Sequence, residues 1–161
     1  MIRVGLGYDV HPFADDDRPL VLGGVTIDGR GLAGHSDADA VCHAVADALL
    51  GPAGLPDLGA LFPASDDAYR GASSLGLLRD VVARVTGAGW SVANVDVVVN
   101  AEEPRLAPHL DAMTRSVRDA VGGAPVSITP KRGEGIGAVG RGEGIQCWAV
   151  ALLESIEPSG A

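Results

Sequence analysis

The chain has 161 residues, 47% of them hydrophobic and 20% charged, which suits one globular domain with a single core and excludes a disordered polymer. A net charge of −9 excludes a general nucleic-acid or anionic-membrane surface, and no apolar run is long enough to span a bilayer. Aromatics are only 4%, so Val, Leu, Ile and Ala must build the core, and Lys131 is the single lysine, so a phosphate clamp must use arginine, backbone N–H groups or metal.

Ile2 to His11 alternates with period two, which predicts a strand with Ile2, Val4, Leu6, Tyr8 and Val10 on one face and Arg3, Gly5, Gly7, Asp9 and His11 on the other. Leu20–Leu22 and Val25–Ile27, split by Gly23-Gly24, read as a hairpin. Ser36 is the expected N-cap of a helix that runs to about Leu50, where Gly51-Pro52 stops it; Asp39, His43 and Asp47 share one of its faces. The Gly/Pro/Asp-rich stretch 51–72 is long for a structural loop, which points to function.

A second helix is expected from Ser73 or Ser74, packing Leu75, Leu78, Val82 and Val85 inward, to Gly87 or Gly89. Val92 to Ala101 reads as a strand, and a third helix follows Pro104, with Leu106, Leu110, Met113, Val117 and Val121 at helical spacing. Val126–Thr129 reads as a strand; the apolar run Ile145–Leu153 reads as a strand or a helix. The order predicts one domain over residues 1–161, an α+β sheet covered by helices on one face. The N-terminus enters a strand directly, so no leader is expected, and Cys42 and Cys147 give no disulfide framework; a cytoplasmic protein is the expectation.

Chemistry concentrates in three places. Asp9 and His11 project from one strand face, and His43 from a helix would complete three zinc ligands with a fourth position open, the pattern of catalytic zinc. His35 and Ser36 stand at a helix mouth, a ready anion site. Lys131-Arg132-Gly133-Glu134 and Gly140-Arg141-Gly142-Glu143-Gly144 mix basic and acidic groups among turns that suit a diphosphate with a divalent cation. Each has a plainer reading beside it: a surface Asp/His pair, a simple cap, a solvated loop. No third glycine follows Gly5-x-Gly7 and no G-x-x-x-x-G-K-[ST] occurs, so dinucleotide and P-loop fingerprints are absent. Cys42 beside His43 points about 100° away on a helix, so it reads as a small core residue.

Together these segments resemble the 2-C-methyl-D-erythritol 2,4-cyclodiphosphate synthase family. The resemblance rests on Gly7-Tyr8-Asp9-Val10-His11-Pro12-Phe13, Leu22-Gly23-Gly24-Val25, Gly34-His35-Ser36-Asp37, His43-Ala44, Asp47 to Gly51, Asp57-Leu58-Gly59, Leu61-Phe62-Pro63, Asn94-Val95-Asp96, Pro104-Arg105 and Gly140 to Gly144, in order along the chain. It implies a ferredoxin-like α+β subunit in a homotrimer with active sites between subunits. Zn²⁺ on Asp9, His11 and His43 is implied, with Mg²⁺ or Mn²⁺ near Glu134. The implied reaction closes 4-diphosphocytidyl-2-C-methyl-D-erythritol 2-phosphate into the cyclic diphosphate and releases CMP, as a phosphorus–oxygen lyase of non-mevalonate isoprenoid synthesis.

Catalytic roles are implied for His35 and Arg132. Substrate contacts are implied for Asp9, His11, His35, Ser36, Asp57, Gly59, Phe62, Asp66, Ala101, Arg105, Lys131, Arg132, Glu134 and Arg141. The chain departs from the family's pattern at Arg132, where threonine is usual, at Ala64, where aspartate follows Phe-Pro, and at Ala138, where an aromatic is common. These departures keep a second reading open, a catalytically weakened trimeric zinc-containing homologue that binds a phosphorylated ligand or an isoprenoid. A third is a zinc phosphohydrolase acting on another diphosphate.

Overall fold

The computed structural model of the chain describes residues 1–156. Strands β1 (Ile2–Pro12), β4 (Trp90–Asn100), β5 (Val126–Lys131) and β6 (Gly144–Ser155) form one sheet in the order β1-β6-β4-β5. The β1–β6 and β6–β4 pairs are antiparallel and β4–β5 is parallel, so the sheet is mixed. The run 145–153 is thus strand: alternation of buried Ile145, Cys147, Ala149, Ala151 and Leu153 with more exposed residues settles the ambiguity. Strands β2 (Leu20–Leu22) and β3 (Val25–Ile27) form the expected hairpin, with Gly23 and Gly24 at φ 57° and 72° supplying the two left-handed positions of its turn.

Helices α1 (Ala40–Ala53), α3 (Ser74–Gly87) and α4 (Leu110–Ala120) pack on one face of the sheet, and short helices α2 (Leu58–Leu61) and α5 (Gly137–Gly140) sit in connections. The mixed sheet with helices on one face matches expectation. The chain order differs from the β-α-β-β-α-β of a ferredoxin-like unit. Here α4 connects the parallel neighbours β4 and β5, and the strands that follow one another, β5 and β6, are not neighbours.

The alternation of β1 has an unexpected outcome. Its apolar face is the open one: Ile2, Val4, Leu6, Tyr8 and Val10 are exposed, with Leu6 at 69%. The inward face is glycine, because α1 lies directly on it. A Cβ at Gly5 would sit 2.0 Å from the Ala48 carbonyl oxygen, and one at Gly7 would sit 1.9 Å from that of Ala44. The glycines therefore admit the backbone of the helix that carries His43, rather than making room for a ligand.

Three helix boundaries differ from expectation. Asp39, not Ser36, caps α1: its carboxylate accepts from Val41 N and Cys42 N at 3.1 Å, and from Gly23 N (2.9 Å) and Gly24 N (2.6 Å) of the hairpin turn. Four amides satisfy a fully buried carboxylate, and Ser36 is left outside the helix. At its other end α1 runs past Gly51-Pro52 to Ala53, where Gly54 at φ 75° closes it. In α3, capped by Ser73, the buried stripe is Leu77, Leu78, Val81 and Val85, with Leu75 and Val82 only partly covered. The third helix opens with a 3₁₀ turn, Ala107–His109.

Candidate functional site

Asp9 and His11 leave β1 on the same side, and α1, seated on Gly5 and Gly7, presents His43 to them. Asp9 Oδ2 lies 2.9 Å from His11 Nε2 and 3.1 Å from His43 Nδ1, and those two nitrogens are 3.2 Å apart. The outer ring nitrogens are both engaged. His11 Nδ1 donates to Ala33 O at 2.7 Å, and His43 Nε2 donates to Ser74 Oγ at 2.8 Å with Ser36 Oγ at 3.3 Å. With those outer nitrogens protonated and the rings neutral, the inner nitrogens carry lone pairs.

A carboxylate oxygen and two imidazole lone pairs thus converge on one point. With neither a proton nor a metal ion between them these groups repel. A tetrahedral zinc ion with bonds of about 2.0 Å sets its ligand atoms about 3.3 Å apart, close to the observed triangle. The donor set, one carboxylate and two anchored imidazoles, fits zinc with an open fourth position.

Burial would raise the Asp9 carboxyl, but hydrogen bonds and charge from His11 and His43 lower it to about 2. Burial would lower His11, and its bonding and attraction to Asp9 outweigh that, so it is raised.

Beside the triad is a cavity of about 280 Å³ lined by Asp9, His11, His35, Ser36, His43, Asp47, Leu58, Gly59, Phe62, Ala64, Tyr69 and Leu77. His35 Nε2 donates to Asp66 O at 2.9 Å, and Ser36 Oγ accepts from Ala38 N at 3.2 Å. Asp57 caps α2 through Ala60 N and Asp66 caps the 3₁₀ turn Asp67–Tyr69 through Ala68 N, both at 2.9 Å. Neither side chain lines the cavity; both shape the 51–72 connection around it. Asp47 and Tyr69 line the cavity without having been expected there. Asp47 is raised by burial while accepting from Leu58 N at 2.8 Å. Its place four residues beyond His43 was the available signal.

The remaining expected residues gather elsewhere. Ala101, Arg105, Lys131, Arg132 and Arg141 line a second cavity of about 1080 Å³, with Arg30, Phe13 and Glu102. The two cavities share no lining residue. Arg132 reaches Glu102 Oε1 at 2.7 Å and Arg141 reaches Glu143 Oε1 at 2.6 Å. Glu134 lines neither cavity; it stands exposed at φ 53° in the turn before α5. The two cysteines are buried, and burial pushes both thiols up, so neither is a nucleophile.

The YgbB family model matches residues 2–154. The 2-C-methyl-D-erythritol 2,4-cyclodiphosphate synthase of Bordetella petrii is 53% identical over 154 residues, covering 94% of each chain. A bifunctional enzyme IspD/IspF of Anaeromyxobacter sp. is 51% identical over 94% of this chain, which spans only 40% of that longer protein. Among solved structures, a Plasmodium falciparum IspF in complex with CDP superposes with a TM-score of 0.83 at 29% identity over 97% of each chain. The bifunctional IspDF of Campylobacter jejuni gives 0.92 at 34% identity, over 98% of this chain and 43% of that one.

Proposed function

The chain belongs to the YgbB family, that of the 2-C-methyl-D-erythritol 2,4-cyclodiphosphate synthases of isoprenoid biosynthesis, and we propose that it converts 4-diphosphocytidyl-2-C-methyl-D-erythritol 2-phosphate into the cyclic diphosphate and CMP. The observation that carries the reading is the Asp9–His11–His43 triangle opening on a cavity edged by His35 and Ser36. An oxygen of the 2-phosphate attacks the β-phosphorus, the bond from that phosphorus to the bridging oxygen breaks, and CMP leaves with the electron pair. The nucleophile is already anionic, so no side chain has to take a proton from it. The work of the protein is to fold the substrate and to neutralise charge.

Ser36 holds the transferring phosphate with its hydroxyl, and His35 does so with the ring N–H, which turns to it from Asp66 O. Gly59 and Phe62, on the 51–72 connection shaped by Asp57 and Asp66, border the erythritol portion. Ala101 and Arg105 receive the cytidine, and Lys131, Arg132 and Arg141 supply positive charge to the phosphates. Asp9 Oδ2, His11 Nε2 and His43 Nδ1 would hold zinc, which would supply Lewis-acid polarisation of phosphate oxygens, and Glu134 would hold Mg²⁺ or Mn²⁺, which would offset charge on the nucleotide phosphates. A lone carboxylate such as Glu134 suits an ion that takes its other ligands from substrate phosphates.

A cyclic homotrimer with sites between subunits fits two features. The triad cavity and the arginine-rich cavity share no lining residue within one chain, and in a trimer a neighbouring copy brings one of each together. The open sheet face, with Val4, Leu6, Tyr8, Val10 and Val150 exposed, is an apolar patch that a neighbouring copy would cover. A cytoplasmic site of action is part of the same reading; among the described residues no helix is long and apolar enough to cross a membrane.

The weakened-homologue alternative is not favoured, since relatives about 50% identical over nearly the whole chain are named as synthases. Phosphorus NMR of the cytidylyl substrate with enzyme, zinc and Mg²⁺ tests the activity. Cyclic diphosphate and CMP in equal amounts support it; an unchanged substrate spectrum refutes it.

A further inference from the structure

Behind His43, on the side away from the triad, a second set of groups is assembled that none of the phosphate chemistry uses. Ser74, in the first turn of α3, is 1% exposed. Its hydroxyl oxygen lies 2.8 Å from His43 Nε2, and the same hydroxyl donates a short hydrogen bond to Asp37 Oδ1. The Ser74 amide donates to the other Asp37 oxygen, Oδ2, at 3.1 Å. Asp37 also accepts from Asp39 N at 3.2 Å, and its own amide donates to Ala72 O at 3.1 Å.

Ser36 Oγ also lies 3.3 Å from His43 Nε2 and 3.2 Å from Ser74 Oγ, and with the ring neutral and its Nδ1 given to a cation the proton inventory of this chain has one solution. An ionised carboxylate only accepts, so the single hydroxyl proton of Ser74 goes to Asp37. Ser74 Oγ then has only lone pairs to offer His43, so Nε2 must be the protonated nitrogen of the ring, and Nδ1 carries the lone pair that faces Asp9 and His11. The carboxylate polarises the hydroxyl, which strengthens its acceptance from the imidazole and makes Nδ1 a better donor to a cation.

We propose that Ser74 and Asp37 are positioning residues for the metal centre, a carboxylate–hydroxyl–imidazole relay that fixes the tautomer and ring orientation of His43. The inference rests on the reading of Asp9, His11 and His43 as a zinc site. The relay also explains why the start of α3 is tied to the loop of His35 and Ser36. Asp37 follows them directly and is fastened to Ser74 through both of its oxygens, so the phosphate-facing loop and the metal ligand share one anchor. His11 has the simpler device, a backbone carbonyl at 2.7 Å.

The test compares wild type with Ser74→Ala and Ser74→Thr, Thr keeping the hydroxyl. Zinc affinity is measured by competition with a chromophoric chelator, and the His43 tautomer by nitrogen NMR of the ring in metal-free protein. Ser74→Ala is expected to weaken zinc about 10- to 100-fold, the usual cost of losing such a partner. The same variant loses the Nε2–H signature of His43, and Ser74→Thr keeps both properties near wild type.

Wild-type affinity together with an unchanged tautomer in Ser74→Ala overturns the relay and leaves the zinc site standing. A wild-type protein that binds no zinc overturns the metal-centre reading and the relay with it. The tautomer signature guards against a merely structural effect, because general loosening of α3 would not by itself reverse the protonation of one ring.

Discussion

Replacing Gly7 by alanine puts a methyl carbon 1.9 Å from the Ala44 carbonyl oxygen and 2.6 Å from the Ala48 nitrogen, both in the backbone of α1. Neither atom can swing aside as a side-chain tip could. Restoring ordinary contact requires strand and helix to part by about 1.5 Å, whereas a metal site tolerates errors of about 0.2 Å in its ligand distances. His43 rides on α1 and Asp9 and His11 on β1, so the triangle opens. The expected result is a loss of about 1–3 kcal/mol in folding stability from overpacking. Zinc affinity falls by more than about 100-fold, beyond the loss from disturbing only a ligand's outer partner.

Gly51→Ala is the matched control: apart from its chain neighbours nothing lies within 4 Å of its added carbon, and the helix-propensity gain of about 0.5–1 kcal/mol is offset by crowding from the following Pro52, so stability should stay within about 1 kcal/mol of wild type with zinc retained. Urea denaturation and zinc titration read both effects. A Gly7→Ala protein that binds one zinc per chain at wild-type affinity would refute the claim that the glycine face sets the site.

Arg132→Thr, which installs the family's usual residue, should keep turnover, because a threonine hydroxyl can take over the phosphate contact of the exposed Arg132, which is paired with Glu102; a collapse in kcat would show that the arginine's charge is essential. In metal-free protein, the raised His11 contributes stability that is complete below about pH 6.5 and lost as pH rises through its elevated value. The lowered Asp9 contributes stability present above 3.8 and lost as pH falls through about 2. Thermal midpoints with chelator should therefore decline from pH 6 to 8, whereas with zinc they should rise over that range as protons cease to compete; the same trend with and without metal contradicts this. Leu6→Asp on the open sheet face should convert a sedimenting trimer to smaller species, and a stable wild-type monomer would sink the shared-site arrangement.

Much of this was legible in the residues because it follows strict periods. Asp9 and His11 share a face at spacing two, and His43 needed only a helix to bring it across. What escaped was set by contacts between distant segments. The apolar alternation of β1 marks its open face, since the helix demands glycine on the inner one. Ser36 looked like the cap, but the amides of Gly23 and Gly24 draw Asp39 into that place and free Ser36 to face the cavity. Ser74 read only as a helix start; its bond to His43 spans 31 residues and has no local signature. The separation of the arginine-rich cavity from the triad is likewise a property of the folded chain, not of any motif.

The most direct test strips the protein with chelator, then restores zinc in the presence of Mg²⁺ while CMP release is followed, with His43→Ala alongside. The account predicts that release stops on stripping, returns with about one zinc per chain, and never appears in the variant. Undiminished release from the stripped protein, or full activity in His43→Ala, would contradict it.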